Sequence, residues 1–76
     1  MTDDGRTMRK TLRLLRNINE DIDEAKKMIR KLKRAETNGD IEYEIGEALV
    51  HVGNAYAAIE EGHDILNQIY NECYED

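Results

Sequence analysis

Apolar residues return every three or four positions through almost the whole chain, and the pattern breaks once. Leu15, Ile18, Ile22, Ala25, Ile29 and Leu32 follow at spacings of 3, 4, 3, 4 and 3, and Met8 begins the series a heptad earlier. A second series runs Ile45, Ala48, Val52, Ala55, Ile59, Gly62, Leu66, Ile69 and Cys73, flanked one position on by Leu49, Tyr56, His63 and Tyr70. That spacing marks one face of a helix, and no proline interrupts it. Between the two series lies Thr37-Asn38-Gly39-Asp40. There Asn-Gly suits the positive φ that stops a helix, and Asp40 can cap the next one. The expected fold is all-α: an antiparallel two-helix hairpin over about residues 7–36 and 41–74, because a short connection folds neighbouring helices back on each other. Residues 1–76 form a single helical-hairpin domain, with 1–6 expected to be disordered.

Seventy-six residues leave no room for a second domain, and the chain has no Phe, Trp, Pro or Ser. Its only aromatics are four Tyr, so a thick self-sufficient core is not expected. No stretch approaches the roughly 18–20 apolar residues of a membrane span. No apolar block follows a basic start, as it would in a secretory signal. The reading is a soluble, cytoplasmic chain without a membrane role.

Charge divides the chain at the same place as the apolar pattern. All eleven Lys and Arg lie between positions 6 and 34; positions 1–34 carry six acids, net +5, and positions 35–76 carry eleven acids and no Lys or Arg, net −11. Folding about residues 38–39 sets residue i opposite roughly residue 77 − i. Arg34 and Arg30 then fall near Glu44 and Glu47, and Arg16 and Arg13 near Glu61 and Asp64. Exposed ion pairs are worth only about 0–1 kcal/mol each, so such pairing selects register more than it supplies stability.

One hairpin cannot bury both stripes. Residues 48–59 are apolar nearly all the way round, with Gly46 and Gly53 a heptad apart and Ala57 beside them. Glycine costs about 1 kcal/mol against alanine inside a helix, so its recurrence points to close packing, either against helix 1 or against a helix of another chain. The second is the expectation: a homo- or hetero-oligomer that completes a helical bundle. Its interface is Ile45, Leu49, Val50, Val52, Gly53, Tyr56, Ala57, Ile59, Leu66, Ile69 and Tyr70.

Groups capable of chemistry are few. Without serine there is no serine nucleophile, and no His neighbours Thr2, Thr7, Thr11 or Thr37 to activate them. Cys73 lies among Glu72, Glu75 and Asp76, which disfavour a thiolate, and reads as a small apolar residue on the stripe. Four glycines are scattered along the helical segments, so no phosphate loop exists. Glu60-x-x-His63 has the spacing of a di-iron ligand pair in a four-helix bundle, which dimerisation of a hairpin would supply. The residues opposite it are Arg16, Asn17, Leu14 and Arg13, cations where a carboxylate is required. No metal, cofactor or enzymatic activity is therefore expected. The arginines of helix 1 could face nucleic acid, but helix 2 offsets them and no aromatic interleaves. Nucleic acid is not the expected partner.

Residues 58–70, Ala-Ile-Glu-Glu-Gly-His-Asp-Ile-Leu-Asn-Gln-Ile-Tyr, follow an Asn-Gly break after a charged first helix. In this they resemble the small co-chaperones of bacterial type III secretion systems. The resemblance implies a helical hairpin that binds a larger tetratricopeptide-like chaperone and helps hold a needle subunit unassembled in the cytoplasm. The expected function is thus a small non-enzymatic chaperone or adaptor that binds another helical protein. A regulator or inhibitor carried by a phage or other mobile element, and the di-iron bundle, are the alternatives.

Overall fold

Helix α1 spans Asp3–Ala35 and α2 spans Gly39–Ile69, and the chain continues through Tyr70–Tyr74 as a wider π-type turn. The structure, a computed structural model, describes residues 3–74. The two helices run antiparallel as a rod with Cα extents of 55 × 15 × 13 Å. No strand occurs among the described residues. Helix α1 begins four residues before the expected Thr7. Residues 3–6 are therefore helical, while residues 1–2 of the expected disordered start lie outside the described residues. Asp3 and Asp4 in its first turn and Lys33 and Arg34 in its last complement the helix dipole.

The connection closes differently from the sequence expectation. Glu36 Oε1 accepts from the backbone N–H groups of Thr37 at 3.1 Å and Asn38 at 2.9 Å. Asn38, with φ −87° and ψ 117°, caps α2: its Oδ1 accepts from the N–H groups of Asp40 at 2.9 Å and Ile41 at 3.3 Å. Asp40 is not the cap, and no described residue has positive φ. Two side-chain oxygens satisfy the free amides of the turn, so a left-handed glycine is not needed.

Burial also shifts the seam from the expected stripe. On α1 the covered positions include Met8, Leu12, Leu15, Asn19, Ile22, Lys26, Ile29 and Lys33, which step by four and three residues; Ile18, Ala25 and Leu32 are exposed. Leu12, outside the expected stripe, is the one large apolar side chain that is buried among the described residues, 7% exposed. Along α2 and the π-type turn that continues it, the seam is Ile45, Leu49, Val52, Tyr56, Ile59, His63, Leu66 and Tyr70, and Ala48, Ala55, Ile69 and Cys73 are exposed. The seam accepts polar residues because their stems are apolar. The Lys26 ammonium lies 4.9 Å from the centre of the Tyr56 ring, and Lys33 Nζ pairs with Glu42 Oε1 at 3.5 Å. Asn19 Nδ2 donates to the Tyr56 carbonyl at 3.2 Å, while its Oδ1 is buried and accepts no hydrogen bond.

These contacts bracket the expected register. The ion pairs expected of Arg34 and Arg30 with Glu44 and Glu47, and of Arg16 and Arg13 with Glu61 and Asp64, do not close. Those groups stand on outer surfaces of the rod, where water outcompetes a weak attraction.

Candidate functional site

A two-helix rod has two long flanks, one on each side of its seam, and here their chemistry is opposite. In antiparallel helices, the positions immediately before and three after Met8, Leu15, Ile22 and Ile29 lie on the same flank as the equivalent positions around Ile45, Val52, Ile59 and Leu66. That follows from the near two-fold relation between antiparallel helices and from 3.6 residues per turn. From α1 this flank receives Thr7, Thr11, Leu14, Ile18, Asp21, Ala25, Met28 and Leu32; from α2 it receives Ile41, Glu44, Ala48, His51, Ala55, Ala58, Gly62, Ile65 and Ile69. It carries no Lys or Arg. Seven of the nine exposed large apolar side chains among the described residues stand on it: Leu14, Ile18, Met28, Leu32, Ile41, Ile65 and Ile69, between 38% and 61% exposed. Asp21, Glu44 and His51 lie on its outer edges.

The opposite flank holds Arg6, Arg9, Arg13, Arg16, Lys27, Arg30 and Arg34 of α1, with Glu20 and Asp23 among them. Glu60 and His63 border it. His63 is half-buried, with Nδ1 3.6 Å from Asp64 Oδ1, and Glu60 is exposed. A groove of about 330 Å³ there is lined by Arg16, Asn19, Glu20, Asp23, Tyr56, Glu60 and His63 together with Leu15. The carboxylates of Glu20 and Asp23 thus share the groove with Glu60, and Arg16 stands among them. Among the described residues no three His, Cys, Asp or Glu side chains converge on a metal position.

The residues expected to meet a partner divide into two groups. Ile45, Leu49, Val52, Tyr56, Ile59, Leu66 and Tyr70 are half-covered in the hairpin's own seam. Val50, Ala57 and Ile69 are exposed, with Ile69 on the apolar flank and Val50 and Ala57 on the other side of α2 beside the half-covered Gly53. A Cβ added to Gly53 or Gly62 would meet nothing within 4 Å, so α1 does not require glycine at either position; one at Gly46 would lie 3.1 Å from Lys33 Cε. Cys73 is an exposed free thiol on the π-type turn and not a packed residue.

Sequence reasoning missed the contribution of α1 to the apolar flank: Leu14 and Met28 fell outside its stripe, and Ile18 and Leu32 were assigned to the seam. The signal was the absence of Lys and Arg from these positions in a helix that carries eleven of them. No protein family, curated protein or solved structure matches this chain. No helix is long and apolar enough to cross a membrane among the described residues.

Proposed function

We propose that this chain is a non-enzymatic protein–protein interaction module, a small cytoplasmic chaperone or adaptor that works by burying the apolar flank of its hairpin against another helical chain. The observation that carries this reading is the segregation of the two flanks: seven large apolar side chains on one, and no Lys or Arg beside them. Isolated exposed apolar residues are ordinary, but a contiguous row along both helices marks an interaction surface. The dimensions agree. The Cα radius of gyration of 17.1 Å exceeds the roughly 11 Å of a globular chain of this length. The accessible surface of 5834 Å² exceeds the roughly 4,800 Å² expected for the mass. The likeness of residues 58–70 to type III secretion co-chaperones supports the same class and adds a larger helical chaperone as a candidate partner.

Ala55→Glu tests the reading, because it sets a carboxylate in the middle of the flank without touching the seam. Association of the chain, with itself or with a purified partner, is lost in Ala55→Glu and kept in the outer-surface control Glu61→Ala, with unchanged helicity in both. Association that survives Ala55→Glu would show that the flank faces water.

A further inference from the structure

We infer that the occupant of the apolar flank is a second copy of this chain, packed so that α1 of each copy lies against α2 of the other in a four-helix bundle. This rests on the reading of the flank as an interface and adds who covers it and in what orientation.

Side-chain size is the first argument. On the flank of α1 the large residues Leu14, Ile18, Met28 and Leu32 stand in two pairs on either side of Asp21 and Ala25, with the small residues Thr7 and Thr11 at one end and Ala35 at the other. On α2 the small residues Ala48, Ala55, Ala58 and Gly62 occupy the middle with His51 among them, and Ile41, Ile65 and Ile69 the ends, with Glu44 next to Ile41. When two copies meet flank to flank about a two-fold axis parallel to the helices, heights along the rod are preserved. Each residue of α1 then stands level with the same part of the partner's α2 that it faces in its own hairpin. Large meets small over most of the contact: Leu14, Ile18 and Met28 stand level with Gly62, Ala58 and Ala48 of the second copy, and the isoleucines at the ends of α2 meet Thr7, Thr11 and Ala35, while Asp21 and Ala25 lie level with Ala55 and His51 at the centre and Leu32 with Glu44. Interfaces that pack at interior density need this alternation. A symmetric contact also requires the surface to complement itself, which this flank does.

Charge chooses the same arrangement. The alternative axis, perpendicular to the helices, would set α1 on α1 and α2 on α2. Residues 1–34 carry net +5 and residues 35–76 net −11, so that packing opposes like charges along both contacts, and it brings the large residues of α1 onto each other. The parallel axis makes every neighbour oppositely charged. Lys31, on the outer surface of α1, becomes level with Glu44 and Glu47 of the other copy.

The size of the contact is sufficient. From Ile41 to Ile69 the flank extends about 42 Å at 1.5 Å per residue. Over the 15 Å width of the rod this gives about 600 Å² per copy, and the pair buries about 1,200 Å², at the lower end for specific complexes. The glycine at position 62, which α1 leaves open, sits within this contact, where Leu14 of the second copy stands level with it.

Sedimentation equilibrium and disulfide trapping test this together. The wild-type chain sediments as a dimer at micromolar concentration. In a Cys73→Ala background, Leu14→Cys with Gly62→Cys gives a covalent dimer on mild oxidation, joined from α1 to α2. Within one hairpin Leu14 stands on the outer edge of the flank on α1, turned away from Gly62 across the seam, so the bond forms between copies. Leu14→Cys alone, which reports α1 against α1, does not cross-link. A monomeric wild-type chain would overturn the second copy as occupant. A monomeric wild-type chain that binds a purified helical partner, and loses it in Ala55→Glu, would overturn the second copy while upholding the interface reading, so the two failures are distinguishable. A dimer joined α1 to α1 would overturn the arrangement.

Discussion

Replacing Asn19 by leucine should stabilise the hairpin. Asn19 sits in the seam, donates one hydrogen bond of 3.2 Å to the Tyr56 carbonyl and buries its Oδ1 without a partner. Asn19→Leu loses that bond, about 1 kcal/mol, but removes the unsatisfied oxygen, whose desolvation costs about 1–3 kcal/mol. A half-covered leucine adds about 1 kcal/mol of apolar burial. The net gain is about 1–3 kcal/mol, and each kcal/mol raises the melting temperature of a domain this size by about 4–8 °C. Thermal and urea unfolding followed by far-UV circular dichroism measure it, in an Ala55→Glu background at fixed protein concentration so that association does not contribute. A variant less stable than its parent by about 1 kcal/mol or more would refute the reasoning, because it would mean that the Oδ1 is satisfied and the amide group as a whole is worth more than a leucine.

In the same background, Leu12→Ala lowers stability by about 2 kcal/mol, the low end for a buried leucine because only two helices close over it, whereas Leu32→Ala, 61% exposed, changes it by less than about 0.5 kcal/mol; urea midpoints separate the two. Asn38→Ala costs about 1 kcal/mol through loss of the cap, read by the same unfolding curves. Gly53→Ala raises stability by about 0.5–1 kcal/mol, since its Cβ meets nothing within 4 Å, and leaves the sedimentation of the chain unchanged. Purified protein contains no stoichiometric iron, manganese or zinc by elemental analysis, and Glu60→Ala with His63→Ala leaves oligomeric state unchanged in added Fe²⁺; bound metal lost in that double variant would make the charged groove a metal centre.

The helices and the turn between them were legible because apolar spacing and the Asn-Gly break are local signals. The seam was not. An apolar count weighs Ile18 and Leu32 above Asn19 and Lys33, yet Asn19 and Lys33 are the half-covered ones and Ile18 and Leu32 face outward. Two helices share only a narrow contact, and the broad stripe of each is centred between that contact and the apolar flank. Lys26 and Lys33 can occupy the seam because methylene stems cover apolar surface while the ammonium groups reach Tyr56 and Glu42. The cap was misplaced by two residues because Asn38 and Asp40 are equally good N-cap types; the 2.9 Å bond from the Asp40 amide to Asn38 decides between them.

The central claim, that the apolar flank is covered in solution, is tested most directly by thiol accessibility. In a Cys73→Ala background, the maleimide reaction rates of Ala55→Cys on the flank and Glu61→Cys on the outer surface of α2 are compared as protein concentration rises from nanomolar to high micromolar. The account predicts that Ala55→Cys becomes protected by about tenfold or more, a population shift of about 1.4 kcal/mol, while Glu61→Cys does not change. Equal rates for the two thiols at every concentration would contradict it.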